Sequence, residues 1–355
     1  MNAPPAMSRE TARITHVTSL RGASDGGTRP LADVVRSNLE HLWQHGGEKG
    51  STRAGRRPEW IYIRPAFMVV LPGDNRDPAL PRLVKSKGVQ LRLELLLLFD
   101  AQCRHTLGEQ VRNVRHITPH ADEKYASWRQ LMLTATDPTR GTGRGPGDLR
   151  ARQLTEALRA LEEHRLLIIP RDPGGRRRRY NDLQLLSEGS TPEEYPRYTV
   201  PDRGIPLPRK FFTNLWVFAL TDTELATFLL LSFLRSSFPQ RHAEDGIFLT
   251  AEMRKEIFRI TRTTWRSADM LHRFRLIDRM PDSRRNFRTG KVGGYETRWA
   301  NREVAPAHFK INDEGLEQSA LEVIHQVLTA PTIRDQVRRE GWEGLLPPLG
   351  QKPTS

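Results

Sequence analysis

Apolar positions along this chain follow two rhythms. Val89 to Cys103 (VQLRLELLLLFDAQC) is apolar on almost every side, which predicts a helix buried all round. Leu149 to His164 repeats its apolar residues at helical intervals with charged residues between, which predicts an amphipathic helix, and Asp148 stands where its N-cap would fall. Arg165 to Ile169 and Asp182 to Leu186 are short apolar runs on either side of Asp172-Pro-Gly-Gly-Arg-Arg-Arg-Arg-Tyr180. They predict two strands of a hairpin with an arginine-rich tip.

The same order recurs downstream. Thr221-Asp-Thr-Glu224 reads as a capping box opening a helix through Leu234, followed by a short strand at Gly246 to Thr250. Helices are expected at Ala251 to Ile260 and Thr263 to Phe274. Arg275 to Met280, a basic turn from Pro281 to Gly294, and returning strands at Tyr295 to Trp299 and His308 to Ile311 complete the unit. Leu161-x-x-x-Arg-Leu-Leu in the first unit and Leu271-x-x-x-Arg-Leu-Ile in the second stand 110 residues apart, and each enters an arginine-rich turn. Two units of one architecture are therefore expected.

The remaining pieces set the domain limits. Residues 1–57 are rich in Gly, Pro, Ser and Arg and read as a largely disordered basic arm, with one amphipathic stretch from Leu31 to Trp43. Residues 58–190 form the first unit and 211–313 the second. Between them, 191–210 carries Pro192, Pro196, Pro201, Pro206 and Pro208 and reads as a linker. Residues 314–355 supply a final helix, Leu316 to Leu328, and a tail. Trp60 to Leu71 reads as extended, interrupted at Pro65, and Trp128 to Leu133 as a further helical piece.

Helix, helix, short turn, helix and basic hairpin is the order of a winged helix-turn-helix domain. The segment Thr261-Arg-Thr-Thr-Trp-Arg-Ser-Ala-Asp-Met-Leu-His-Arg-Phe-Arg-Leu-Ile277 resembles the recognition helix of GntR-type regulators, which commonly read Ser-Arg-Thr-Thr-Val and end in Gly-Leu-Ile. Both units carry arginine, Arg165 and Arg275, where that family often has glycine. In layout the chain is also similar to plasmid replication initiators. The resemblance implies an α+β, mainly helical fold of two winged helix-turn-helix units with β-hairpin wings, and a double-stranded DNA partner.

On that reading Arg262, Thr263, Thr264, Arg266 and Ser267 lie at the start of the recognition helix, with Trp265, Ala268, Leu271 and Leu276 facing the core. Arg273, Arg284, Arg285, Arg288 and Lys291 extend the contact toward the second wing. The first unit offers Arg152, Gln153 and Thr155 on its helix and Arg176, Arg177, Arg178 and Arg179 on its wing. A transcriptional regulator is expected, acting as a homodimer on a palindrome. The alternatives are a replication initiator on directly repeated sites and a protein-interaction scaffold.

Charge favours the nucleic acid. The 355 residues carry a net charge of +14, and only nine of the 56 basic residues are lysines. Residues 171–180 contribute +4 and residues 259–298 contribute +7, so most of the excess lies on the two segments assigned to DNA. Enzymatic constellations are thin. Gly141 to Gly147 lacks the Gly-Lys-Ser/Thr ending of a phosphate-binding loop. Pro119 interrupts the pairing of His116 and His120 that a helical metal site would use, and the single Cys103 sits on an apolar helix. No enzyme, metal or cofactor is expected. The longest apolar run, Leu225 to Leu234, is about half of what a membrane helix needs, and with no signal pattern a cytoplasmic, nucleoid-associated bacterial protein is expected.

Overall fold

The structure is a computed structural model, and it describes residues 9–23, 29–70, 76–86, 88–121, 123–135, 145–188, 196–281 and 306–330. Two N-terminal helices come first, α1 (Arg9–Gly22) and α2 (Leu31–His45). The first buries Val17 and Leu20. The second buries Leu31, Val35, Leu39 and Leu42 at helical spacing and stops at Gly46, whose φ of 68° closes the left-handed C-cap. Within the described residues the expected disordered arm is thus folded onto the core. A few apolar residues on one helix face suffice for that, and the polar composition around them conceals it.

Strand β1 (Trp60–Ile63) is followed by α3 (Ala79–Lys85), α4 (Gln90–Arg104), α5 (Trp128–Leu131) and α6 (Pro146–Glu163). As its pattern predicts, α4 is buried on nearly every side. Helix α6 begins two residues before Asp148, because Pro146 takes the first helical position and its fixed φ suits it there. Strands β2 (Leu167–Ile168) and β3 (Gln184–Leu185) then form the expected hairpin, with Leu167 opposite Leu185.

The proline-rich stretch is not a free linker. Its described part, from Pro196, contains β4 (Ile205–Pro208), which pairs antiparallel with β1 so that Ile63 faces Ile205 and Trp60 faces Pro208. Ile61, Ile63, Ile205 and Leu207 are all buried, as are Tyr198 and Val200 just before them. Two prolines fit because a two-stranded ladder leaves alternate N–H groups facing outward.

The second half contains α7 (Lys210–Thr213), α8 (Trp216–Ala219), α9 (Asp222–Ser237) and α10 (Pro239–Glu244). Thr221 and Glu224 cap α9 reciprocally, as the sequence predicts. A π-helical turn at Met253–Ile257 precedes α11 (Arg262–Trp265) and α12 (Ala268–Arg273). The single helix expected from Thr263 to Phe274 is therefore divided, with a tighter i→i+3 step at Arg266 and Ser267. Strand β5 (Ile277–Arg279) pairs antiparallel with β6 (Phe309–Ile311), and Ile247 bridges to Phe309 on the other side of β6. The expected strand at Tyr295 to Trp299 lies outside the described residues. Helix α13 (Ala320–Thr329) packs against α1. In sum the fold is α+β, with about 52% of the described residues helical and small antiparallel sheets of two strands each.

The two halves share one continuous apolar core. Arg92 on α4 pairs with Asp222 on α9 at 2.7 Å, and Arg13 on α1 pairs with the buried Glu224 at 2.6 Å. The N–H of Val70 donates to the Ile257 carbonyl at 2.9 Å. Burial raises the pKa of both Asp222 and Glu224 despite their arginines, so these are costly pairs retained at a seam.

Candidate nucleic-acid interface

Each half presents the same local device. Helix α6 ends in a Schellman motif, in which the N–H of Leu166 donates to the Leu161 carbonyl and that of Arg165 to the Glu162 carbonyl, both at 3.0 Å. Helix α12 ends identically, with Leu276 donating to Leu271 and Arg275 to His272, again both at 3.0 Å. The hairpins β2–β3 and β5–β6 start from these ends. The shared Leu-x-x-x-Arg-Leu signature is thus the sequence form of one turn, which reverses the chain from helix into strand.

In the second half, Thr261 caps α11 by accepting from the Thr264 N–H at 3.1 Å. Arg262, Thr263 and Arg266 are exposed, and among the described residues their side chains have no ion-pair partner. Ser267 is half-buried. Thr264 is buried at 3% exposure; its hydroxyl meets that of Thr261 at 3.0 Å and its carbonyl accepts from the Thr227 hydroxyl at 2.9 Å. Its expected place in the contact set is therefore corrected: Thr264 fastens the helix to α9. Arg273 points to the other side, where it pairs with Glu10 of α1 at 3.4 Å. Arg284, Arg285, Arg288 and Lys291 lie outside the described residues.

Two basic residues join this face that the helix signature alone did not single out, Lys255 in the π-helical turn and Arg259 in the connection to α11. Both are exposed. Arg259 has a φ of 51°, and Arg254 donates to the Ile260 carbonyl at 2.8 Å, bracing the turn. A positive φ at a non-glycine residue is not written in the local sequence, so only the folded chain displays it. Glu252 and Glu256 are exposed on the same segment, and Asp269 is engaged by Arg279.

The hairpin tip of the first half is built by Asp172. Its carbonyl accepts from Gly175 at 2.8 Å, and its carboxylate accepts from the backbone of Arg176 at 2.9 Å and Arg177 at 3.2 Å. Gly175 takes a φ of 67°, the left-handed position this turn needs. The four arginines that follow are not equivalent. Arg178 is drawn back to Glu162 at 2.9 Å and Arg179 to Asp182 at 2.5 Å. Only Arg176 and Arg177 extend from the tip without a partner among the described residues.

Helix α6 is less free than α11. Arg152 is exposed but paired with Glu156 at 2.7 Å, Gln153 donates to the Ala135 carbonyl at 3.4 Å, and Thr155 bonds back to the Ala151 carbonyl at 2.9 Å. Arg150, one turn earlier, is buried and donates to the Met132 carbonyl at 3.2 Å. Three residues assigned to contact from spacing alone are thus largely satisfied within the fold.

Elsewhere a cleft of about 790 Å³ is lined by Arg64, Thr199, Asp202, Arg203, Ser236 and Ser237 among others. Arg64 is already held there by Glu188 at 2.8 Å. His116 and His120 stack with ring centroids 5.9 Å apart, and among the described residues no group of three potential ligands could hold a metal ion. No described helix is long and apolar enough to cross a membrane. No known protein family, curated protein or solved structure matches the chain.

Proposed function

We propose that this protein binds double-stranded DNA through two winged helix-turn-helix units and acts as a transcriptional regulator. The observation that carries this reading is the row Arg259, Arg262, Thr263 and Arg266, exposed and without ion-pair partners among the described residues. A folded protein gains nothing internal from such a row. Guanidinium groups and a short hydroxyl at a helix start suit phosphate anchoring and guanine readout. The order of helix, strand bridge at Ile247, π-helical turn, helix pair and hairpin supports the same assignment, as does the free pair Arg176 and Arg177 on the first hairpin.

The halves then divide the work. The α11–α12 face reads bases, whereas the 172–177 tip grips the backbone. A second reading, initiation of replication at directly repeated sites, is favoured by the seam. Arg92–Asp222 and Arg13–Glu224 lock two non-equivalent units into one body, which suits an asymmetric or repeated site read by a single chain.

Selection from a random duplex library, with the affinity of the winners followed against salt, tests both readings. The regulator reading expects a palindromic motif and the initiator reading a directly repeated one, each with a steep salt slope. Absence of binding at modest salt rejects both and brings forward a scaffold that binds protein.

A further inference from the structure

Non-glycine residues with positive φ number five among the described residues: Arg57, Arg165, Leu215, Arg259 and Arg275. In this region glycine is the residue without a steric penalty. Two of the five have an internal reason to differ. Leu215 is fully buried in the core, so its side chain repays the conformation by packing. The Arg57 guanidinium donates to the Gln44 carbonyl at 3.2 Å. The other three have none. Arg165, Arg259 and Arg275 are all exposed, and no ion pair, hydrogen bond or ring contact engages their guanidinium groups among the described residues.

Their positions are not scattered. Arg165 and Arg275 occupy the same C′ site of matching Schellman motifs, at the entry to each hairpin, where glycine is the usual occupant. Arg259 holds the connection between the π-helical turn and α11, next to the exposed row at Arg262 and Arg266. Strain held at a residue whose side chain does nothing for the fold points to a use outside the fold.

We propose that Arg165, Arg259 and Arg275 are backbone-phosphate contacts of the bound nucleic acid, which adds the two helix-end arginines to the contact set and gives Arg259, at the edge of the exposed row, a backbone role. The inference rests on the DNA-binding reading above. A guanidinium there neutralises a phosphate without reading a base, so its effect is uniform across sequences.

Glycine substitution separates fold from function, because the two predictions have opposite signs. Arg165→Gly, Arg259→Gly and Arg275→Gly are made singly in the full chain, with Arg→Lys at each site as the charge-retaining control. Melting temperature and affinity for a selected duplex are measured as a function of salt. Each glycine variant is expected to melt about 1–3 °C higher. Each should also bind several-fold more weakly to specific and nonspecific duplexes alike, with the log–log salt slope reduced by about one. The lysine variants should retain most of the affinity.

The assignment is judged site by site. A glycine variant that melts higher and binds with the original affinity and slope overturns it for that residue. One that melts lower overturns it too, since the guanidinium then serves the fold. If the unmodified chain shows no salt-dependent affinity for any duplex, the underlying DNA reading fails instead.

Discussion

Glu94 and Asp100 sit a turn and a half apart on α4, both buried, yet their surroundings treat them in opposite ways. Both carboxyl oxygens of Glu94 lack a hydrogen-bond partner, and burial, reinforced by the Glu188 carboxylate, pushes its pKa well above the ordinary range. Burial acts on Asp100 in the same direction, but Arg104 and Arg115 more than offset it and hold the carboxylate below its usual value. Arg115, fully buried, donates through Nε to Asp100 at 2.8 Å and through Nη1 to the Ala126 carbonyl at 2.6 Å. Removing its carboxylate by Asp100→Ala should cost about 3–5 kcal/mol in a denaturant titration, because an uncompensated buried cation remains.

The two acids also give opposite pH signatures. The folded state keeps a proton on Glu94 that the unfolded chain releases, so this contribution is complete below the unfolded pKa and is lost as pH rises through the folded one. Asp100 contributes above its unfolded pKa and loses that contribution as pH falls. The difference in melting temperature between Glu94→Gln and the parent chain should therefore grow in the variant's favour toward alkaline pH. A difference independent of pH rejects a protonated Glu94. Neither signature can be read from the 89–103 pattern, which fixes that the helix is buried but not what each acid meets there.

Among elements, the contrast lies between α11 with α12 and the first hairpin. Arg262→Ala and Arg266→Ala should each cost about 1–3 kcal/mol of binding and relax the preferred sequence. Replacing Arg176 and Arg177 together should weaken binding to every duplex and lower the salt slope by about two. Arg178→Ala belongs with neither group: its pairing with Glu162 predicts a loosened hairpin, read as faster amide exchange across β2–β3. Identical behaviour of the helix and tip variants would refute the division of roles. Thr261→Ala removes the cap of α11 and should cost about 0.5–2 kcal/mol in stability. Much of this scale was legible in the chain. The Thr221–Glu224 capping box, the Asp-Pro-Gly-Gly turn and the Leu-x-x-x-Arg-Leu ends are local devices, satisfied within a few residues of themselves. The split at Arg266 and Ser267 was not, because it depends on how Thr264 and Trp265 dock on α9 and β6.

At the scale of the molecule, the seam changes what the domain limits mean. With β4 paired to β1 and α9 tied to α1 and α4, unfolding should be a single cooperative transition by calorimetry. Residues 211–313 expressed alone lose those partners and should lack the near-ultraviolet dichroism of fixed tertiary packing. Two resolved transitions, or a well-packed isolated fragment, would show that the halves are independent after all.

By itself the sequence determined helices α2, α4, α6 and α9, the paired turns and the concentration of positive charge, because each depends on the spacing of neighbouring residues or on plain composition. It misjudged the stretches whose structure is set from a distance. Val17 and Leu20 gain burial when α1 packs against α13 and α2, and Ile205 and Leu207 become a strand only when β1 lies alongside. The tertiary structure alone decided which of the many arginines are spent inside the fold, as Arg92, Arg115, Arg150 and Arg178 are. It also decided which, like Arg176, Arg259 and Arg262, are left facing outward. Guanidinium groups are chemically alike along the chain, and what distinguishes them is whether folding brings an acceptor within reach.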